Sequence, residues 1–280
     1  MTPRLLVFTD LDGSLLDHFT YRWDAAAEAV SRLRSGHIPL ILASSKTLAE
    51  MQPLREALGA SRYPMIVENG AAVVVPRGTF TVPLANALPC NDEEEVRFAP
   101  PRSRWLALLA LLAADFPDEF AGFDALGVAG IQAVTGLDAA SAALAARREF
   151  SEPVQWLGTP ARREQFVAAL EAAGARVQQG GRFLTVAGNC DKGQALCYLR
   201  CAYQRELPGR PIHDIAIGDS GNDVPMLEAA ESALLVRSPT HGFPALARSA
   251  GVRRSHGLGP EGWSEGVLAW LQEYHTTVGD

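Results

Sequence analysis

The chain opens on an unbroken apolar run, residues 5–9, with no polar alternation. A strand that is apolar on both sides has both faces covered, as in a parallel sheet flanked by helices. Across residues 24–35 the apolar positions Ala26, Val30 and Leu33 take helical spacing, with Asp24 as N-cap and Gly36 as stop. A second apolar run, 38–43, leads into a second amphipathic segment, 47–58, closed by Gly59. A third, 65–67, precedes Glu68, Asn69 and Gly70. This β-α-β-α-β order predicts right-handed crossovers and a parallel sheet.

The middle of the chain changes character. The pattern predicts a hairpin over 72–84 and a loop over the acidic, proline-bearing stretch 89–102. Helices follow at 104–116, 128–135 and 139–148, then a strand at 154–157, a helix at 160–173, and strands at 176–179 and 183–186. From Asp191 the parallel rhythm returns, with a helix at 194–204, a strand at 212–217, a helix at 224–229, a strand at 233–236 and a terminal helix at 263–274. The predicted class is α/β, a Rossmann-like core formed by 1–83 and 188–280, with an α+β domain inserted over 84–187.

Composition narrows the function classes. At 280 residues the chain is about twice the ~150-residue domain prior, and its 48% apolar and 20% charged content suits an ordinary globular protein. The formal charge of −7 provides no global positive field for nucleic acid or an anionic membrane, so an anionic ligand needs local cations or a metal. Cys90, Cys190, Cys197 and Cys201 form no C-x-x-C pair, which disfavours disulfides and zinc. The N-terminus lacks the long apolar region of a signal peptide, and the longest apolar stretch, 105–114, is half the ~20 residues that cross a bilayer. We expect a cytoplasmic monomer or homodimer with a small-molecule substrate.

Ligands of open α/β sheets gather at the carboxyl ends of the strands. After the first run come Asp10, Asp12 and Gly13; after the second, Ser44, Ser45 and Lys46; after the third, Glu68, Asn69 and Gly70; after the fourth, Asp219, Asn222 and Asp223. Carboxylates converging on one sheet edge repel unless a cation neutralises them, and an all-oxygen set without nearby His or Cys suits Mg²⁺. A carboxylate can attack phosphorus when cations withdraw the phosphoryl charge, which fits Asp10 at the strand tip. Asp12, two residues on, is placed to act as general acid and base. Ser44 offers a hydroxyl to the phosphoryl oxygens, and Lys192, at a helix start, a fixed positive charge.

With D-x-D-G-[ST], a hydroxyl residue after the second strand, K-G at Lys192 and G-D-x-x-N-D at 218–223, the chain resembles the haloacid dehalogenase superfamily of phosphohydrolases. The resemblance implies that Asp10 forms an aspartyl-phosphate, that Asp12 is the acid and base and lends its carbonyl to Mg²⁺, and that Asp219 ligates the metal with Asp223 in support. It further implies that Ser44 and Lys192 bind phosphate and that Asn222 orients Lys192 or the phosphate. The insert is similar to the C2-type cap of the Cof-like branch, which acts on small phosphorylated metabolites, often sugars. Ser44-Ser45-Lys46 departs from the Thr-Gly-Arg common there. Ser45-Lys46-Thr47, Glu68-Asn69-Gly70-Ala71, the segment 147–153 and the segment 259–265 resemble members whose substrate joins a sugar to a phosphorylated glycerate. Such a substrate needs extra cations, for which Arg147, Arg148, Lys46 and Arg237 are candidates, and hydroxyl partners, for which Glu68, Asn69 and Glu152 are candidates. Arg147-Arg148-Glu149 also reads as a solvated helix end, Glu68-Asn69-Gly70 as a turn, and Trp263 as a core anchor. None of the six histidines has ligand spacing.

Overall fold

A computed structural model of the chain describes residues 3–180 and 183–275. In chain order it begins with β1 (Arg4–Thr9), α1 (Ala27–Ser35), β2 (Leu40–Ala43), α2 (Leu48–Ala57), β3 (Met65–Val67), β4 (Ala72–Pro76), β5 (Leu88–Cys90) and β6 (Glu93–Arg97). The inserted region carries α3 (Arg102–Leu112), β7 (Phe120–Gly122), α4 (Phe123–Thr135), α5 (Ala139–Ala145), β8 (Glu152–Trp156), α6 (Pro160–Ala172), β9 (Arg176–Gly180) and β10 (Phe183–Ala187). The chain returns with α7 (Lys192–Glu206), β11 (Ile212–Gly218), α8 (Val224–Ala229), β12 (Ser232–Arg237), β13 (Val252–Leu258) and α9 (Gly259–His275).

Among the described residues the core sheet runs β13-β12-β11-β1-β2-β3-β4-β6-β5. From β13 to β3 the pairs are parallel, and the last three pairs are antiparallel. The two-sided apolar runs are explained directly: Leu5 and Val7 of β1 pack into one hydrophobic cluster, Leu6 and Phe8 into another on the opposite face. Strands β2, β11 and β12 divide their residues between the same two clusters. Each fully buried side chain of this kind stabilises the fold by ~1.5–3 kcal/mol. Trp263 and Trp270 of α9 are buried in the first cluster, so Trp263 is a core anchor.

The second sheet, β7-β8-β10-β9, is antiparallel and packs over its own core of Trp105, Phe116, Val154, Phe166 and Leu170. The expected boundary at 84 falls within the nine-stranded sheet, because β5 and β6 pair with β4 and extend it. The stretch expected as a loop thus contains a strand. Its acidic residues hid it: Glu93 is buried against Arg55 with a contact of 2.6 Å, and Glu95 is buried beside Arg97. No hairpin forms over 72–84; β4 pairs instead with β3 and β6. Asp24 makes no capping bond and pairs with Arg22, while α1 begins after a short 3-10 turn. The helix expected to reach 148 ends at Ala145, where the chain turns towards the core.

Candidate active site

Strand β1 carries Asp10 to the sheet edge, where its N–H donates to Ile217 of β11 at 2.8 Å. Behind it Trp263 Nε1 donates to Thr9 Oγ1 at 2.8 Å, and that hydroxyl donates to the Asp10 carbonyl at 2.7 Å. Gly13, at φ 83°, lets the following turn pass Asp219, since a Cβ there would lie 2.6 Å from Asp219 Oδ2. The N-terminus of α7 brings Lys192 in from the far side. It sits close because Gly70, at φ 91°, leaves room for the Asp191 carbonyl, which a Cβ would meet at 2.1 Å.

Lys192 is fully buried, with Nζ donating to Asp10 Oδ1 at 2.6 Å and to Asp223 Oδ1 at 2.7 Å. Burial alone would depress its pKa, but the two carboxylates outweigh this and raise it, so the ammonium persists. Asp223 uses its other oxygen to accept the N–H groups of Asp219 and Ser220, both at 3.1 Å. Burial, followed by repulsion from Asp223, raises the Asp10 pKa well above the usual carboxylate range despite Lys192. The same two causes push Asp219 up to about 6, offset in part by His241 and Lys192.

Lys46 Nζ lies 2.8 Å from Asp12 Oδ2. Burial lowers its pKa, but Asp12 reverses the balance and holds the lysine charged. Ser44 is buried at the end of β2, and its hydroxyl accepts the Lys46 N–H at 3.2 Å. Asn222 Nδ2 donates to Asn69 Oδ1 at 3.0 Å, and Asn69 Nδ2 donates to Gln178 Oε1 of β9 at 3.2 Å, a polar chain from core to cap.

The donor set fits a hard dication. Oxygens of Asp10, Asp219 and Asp223 lie within 4.8 Å of one another, and Asp12 Oδ1 is buried without a hydrogen-bond partner. Four carboxylates against the ammoniums of Lys46 and Lys192 leave an excess of two negative charges, which one Mg²⁺ would balance.

Several expected substrate residues are engaged elsewhere. Glu68, at φ 46°, turns its carboxylate towards the cap, accepting the N–H groups of Glu149 at 2.8 Å and Phe150 at 3.3 Å and the Ser151 hydroxyl. Glu152 is fully buried within the cap, held by Arg102 Nε at 2.6 Å and the Asp124 N–H at 2.8 Å. Gly70 serves the approach of α7. Arg147 is exposed and lies within electrostatic reach of Glu149, and Arg237 is exposed at the end of β12. Arg148 turns inward, donating to the Ser45 carbonyl at 3.2 Å and to Ser151 Oγ at 3.0 Å.

Two residues escaped the sequence reading. His241 Nε2 stands 3.3 Å from Asp219 Oδ2. It follows the carboxyl end of β12, so the strand-end rule that found the other residues extends to it. Gln178 lies on an antiparallel cap strand, where no such rule applies.

The fold and this site define a capped α/β hydrolase with a carboxylate-lysine centre at the tips of its parallel strands. Residues 7–90 match the family model described as haloacid dehalogenase-like hydrolase. A glucosyl-3-phosphoglycerate/mannosyl-3-phosphoglycerate phosphatase of Methanococcoides burtonii is 32% identical over 94% of this chain and 96% of its own. A haloacid dehalogenase-like hydrolase from Bacteroides thetaiotaomicron superposes with a TM-score of 0.64 at 16% identity, over 95% of this chain and 99% of that one. The sucrose-phosphatase of Synechocystis, solved with sucrose and phosphate, superposes with a TM-score of 0.59 at 15% identity over 98% of both chains. This chain belongs to the haloacid dehalogenase-like hydrolases. No helix among the described residues is long and apolar enough to cross a membrane.

Proposed function

We propose that the protein is a Mg²⁺-dependent phosphatase that hydrolyses 2-(α-mannosyl)-3-phosphoglycerate to mannosylglycerate, a compatible solute, and phosphate in the cytoplasm. The observation that carries this reading is the buried Lys192 ammonium clamped between Asp10 and Asp223. A fully desolvated cation touching a strand-tip carboxylate has no surface role, and it supplies the fixed charge that phosphoryl transfer requires.

Asp10 Oδ attacks phosphorus in line with the departing glycerate oxygen and forms an aspartyl-phosphate. Lys192 holds that carboxylate in place and meets the charge on the equatorial oxygens, with the Ser44 hydroxyl as a further donor. Asp12 gives a proton to the leaving oxygen and then takes one from the water that cleaves the acyl phosphate. Asp219 and Asp223, with Asp10 and the Asp12 carbonyl, would hold Mg²⁺, which supplies positive charge against the phosphoryl oxygens. Lys46, beside Asp12, suits the glycerate carboxylate.

The name of the Methanococcoides relative favours a second reading, in which the glucosyl ester is the substrate or is accepted equally. Phosphate release measured with both glycosyl phosphoglycerates, sucrose phosphate and other hexose phosphates tests the proposal. We expect a preference for glycosyl phosphoglycerate that vanishes in Asp10→Asn. Slow, equal turnover of every ester would defeat it, and a phosphorylated sugar in place of inorganic phosphate would indicate a mutase.

A further inference from the structure

The loop that follows the Asp10 turn carries Phe19, Tyr21 and Trp23. It is a built loop. Asp17 Oδ1 accepts the N–H of Phe19 at 3.1 Å, the N–H of Thr20 at 2.8 Å and the Thr20 hydroxyl at 2.8 Å. The Asp17 N–H donates to the Arg22 carbonyl at 2.8 Å and closes the loop. Within it Tyr21 sits at φ 56°, a region that a bulky L residue occupies only where its surroundings impose it. The result is a tyrosine that remains 53% exposed, so core packing does not account for its placement.

The ring is tied to the catalytic edge through a single side chain. Lys46 Nζ stands 5.3 Å from the ring centroid, and the same ammonium is 2.8 Å from Asp12 Oδ2. Asp12 is the acid that must face the leaving oxygen, which sets Lys46, and Tyr21 beside it, within reach of what extends from that oxygen. In the substrate read above, the carbon next to the ester-bearing carbon carries both a carboxylate, which suits Lys46, and the glycosidic oxygen, so the sugar sits beside the group that Lys46 would hold. The C–H face of a pyranose is weakly apolar and carries the slight positive charge that the face of an aromatic ring attracts.

We propose that Tyr21 is a specificity-determining residue whose ring is the platform on which the sugar of the substrate stacks. The inference rests on the glycosyl phosphoglycerate reading and adds to it the core-side partner of the sugar. Tyr21 leaves the phosphoryl chemistry to Asp10 and Lys192 and acts on the discrimination between esters that carry a sugar and esters that do not.

The test is the ratio of kcat/KM for 2-(α-mannosyl)-3-phosphoglycerate to that for 3-phosphoglycerate, which lacks the sugar, in wild type, Tyr21→Phe and Tyr21→Ala. Losing one stacked ring should lower the ratio roughly tenfold in Tyr21→Ala, chiefly through KM for the sugar ester. Tyr21→Phe, which keeps the ring, should retain it. A Tyr21→Ala ratio within about twofold of wild type overturns the proposal, as does an equal loss on both esters, which marks a structural role. A Tyr21→Phe ratio as low as that of Tyr21→Ala also overturns it, since the hydroxyl would then be the recognising group. A wild type with no preference for the sugar ester defeats the functional reading itself, and is told apart because it appears before any substitution is made.

Discussion

Lys192→Met removes an ammonium while leaving an unbranched side chain of similar reach, so α7 can keep its packing. In the structure Nζ lies 2.6 Å from one carboxylate oxygen and 2.7 Å from another, with the side chain fully buried. At an effective dielectric of ~20, each contact represents ~6 kcal/mol of gross Coulomb attraction. Desolvation of the three charges cancels much of this, and breaking buried pairs of this kind destabilises by ~3–5 kcal/mol. Asp10 and Asp223 are then left facing each other without a counter-charge. Asp10 already has a raised pKa from burial and from Asp223, and Lys192 is what lowers it, so the variant raises it further. A protonated Asp10 relieves the repulsion, which makes the penalty depend on pH. Denaturant unfolding in the presence of a chelator should show a loss of ~3–5 kcal/mol at pH 8 and a smaller loss at pH 5. Phosphate release should fall ~10²–10³-fold, the usual effect of deleting one preorganised donor, and the acid limb of the kcat/KM profile should move to higher pH. A rate near wild type, or a stability loss identical at the two pH values, would refute the charge clamp.

The remaining predictions concern the metal, the cap and the backbone. The folded pKa of Asp219, about 6, lies above its ordinary value of 3.8, so the stability this group contributes to the metal-free protein is present below pH ~4 and is lost as pH rises through about 6. Because Mg²⁺ takes the ionised carboxylates, its effect on Tm should be larger at pH 8 than at pH 5, and an equal shift at both would count against the site. Glu68→Gln leaves backbone donors of Glu149 and Phe150 less well satisfied and should cost ~1–3 kcal/mol, with faster hydrogen exchange confined to residues 149–151; unchanged exchange there would dismiss this role for Glu68. Gly70→Ala places a Cβ on the Asp191 carbonyl at a positive φ and should lower both Tm and kcat by displacing Lys192, with a stability loss of ~2–4 kcal/mol; a fall in Tm alone would separate the turn from the site.

The core was legible because its chemistry is local to each strand. Runs such as 5–8 and 40–43 are apolar at every position since both faces of the sheet are covered, and the residues just beyond them, Asp10, Ser44 and Asp219, are set down where such sheets bind ligands. The carboxylates whose destinations were misjudged share one cause: a carboxylate in sequence reads as solvent-facing or ligand-facing, and its actual destination depends on where its counter-charge lies. Glu93 and Glu152 are buried because Arg55 and Arg102 reach them across the fold, and Glu68 turns away from the site because the N–H groups of Glu149 and Phe150 are presented to it. Lys192, 182 residues from Asp10, was the exception, and for a physical reason. It begins a helix immediately after an insert whose removal restores the parallel β-α rhythm, so topology returns it to the same sheet edge without any knowledge of the insert's interior. The distant pairings inside and beneath the cap have no such constraint, and only the folded chain joins them.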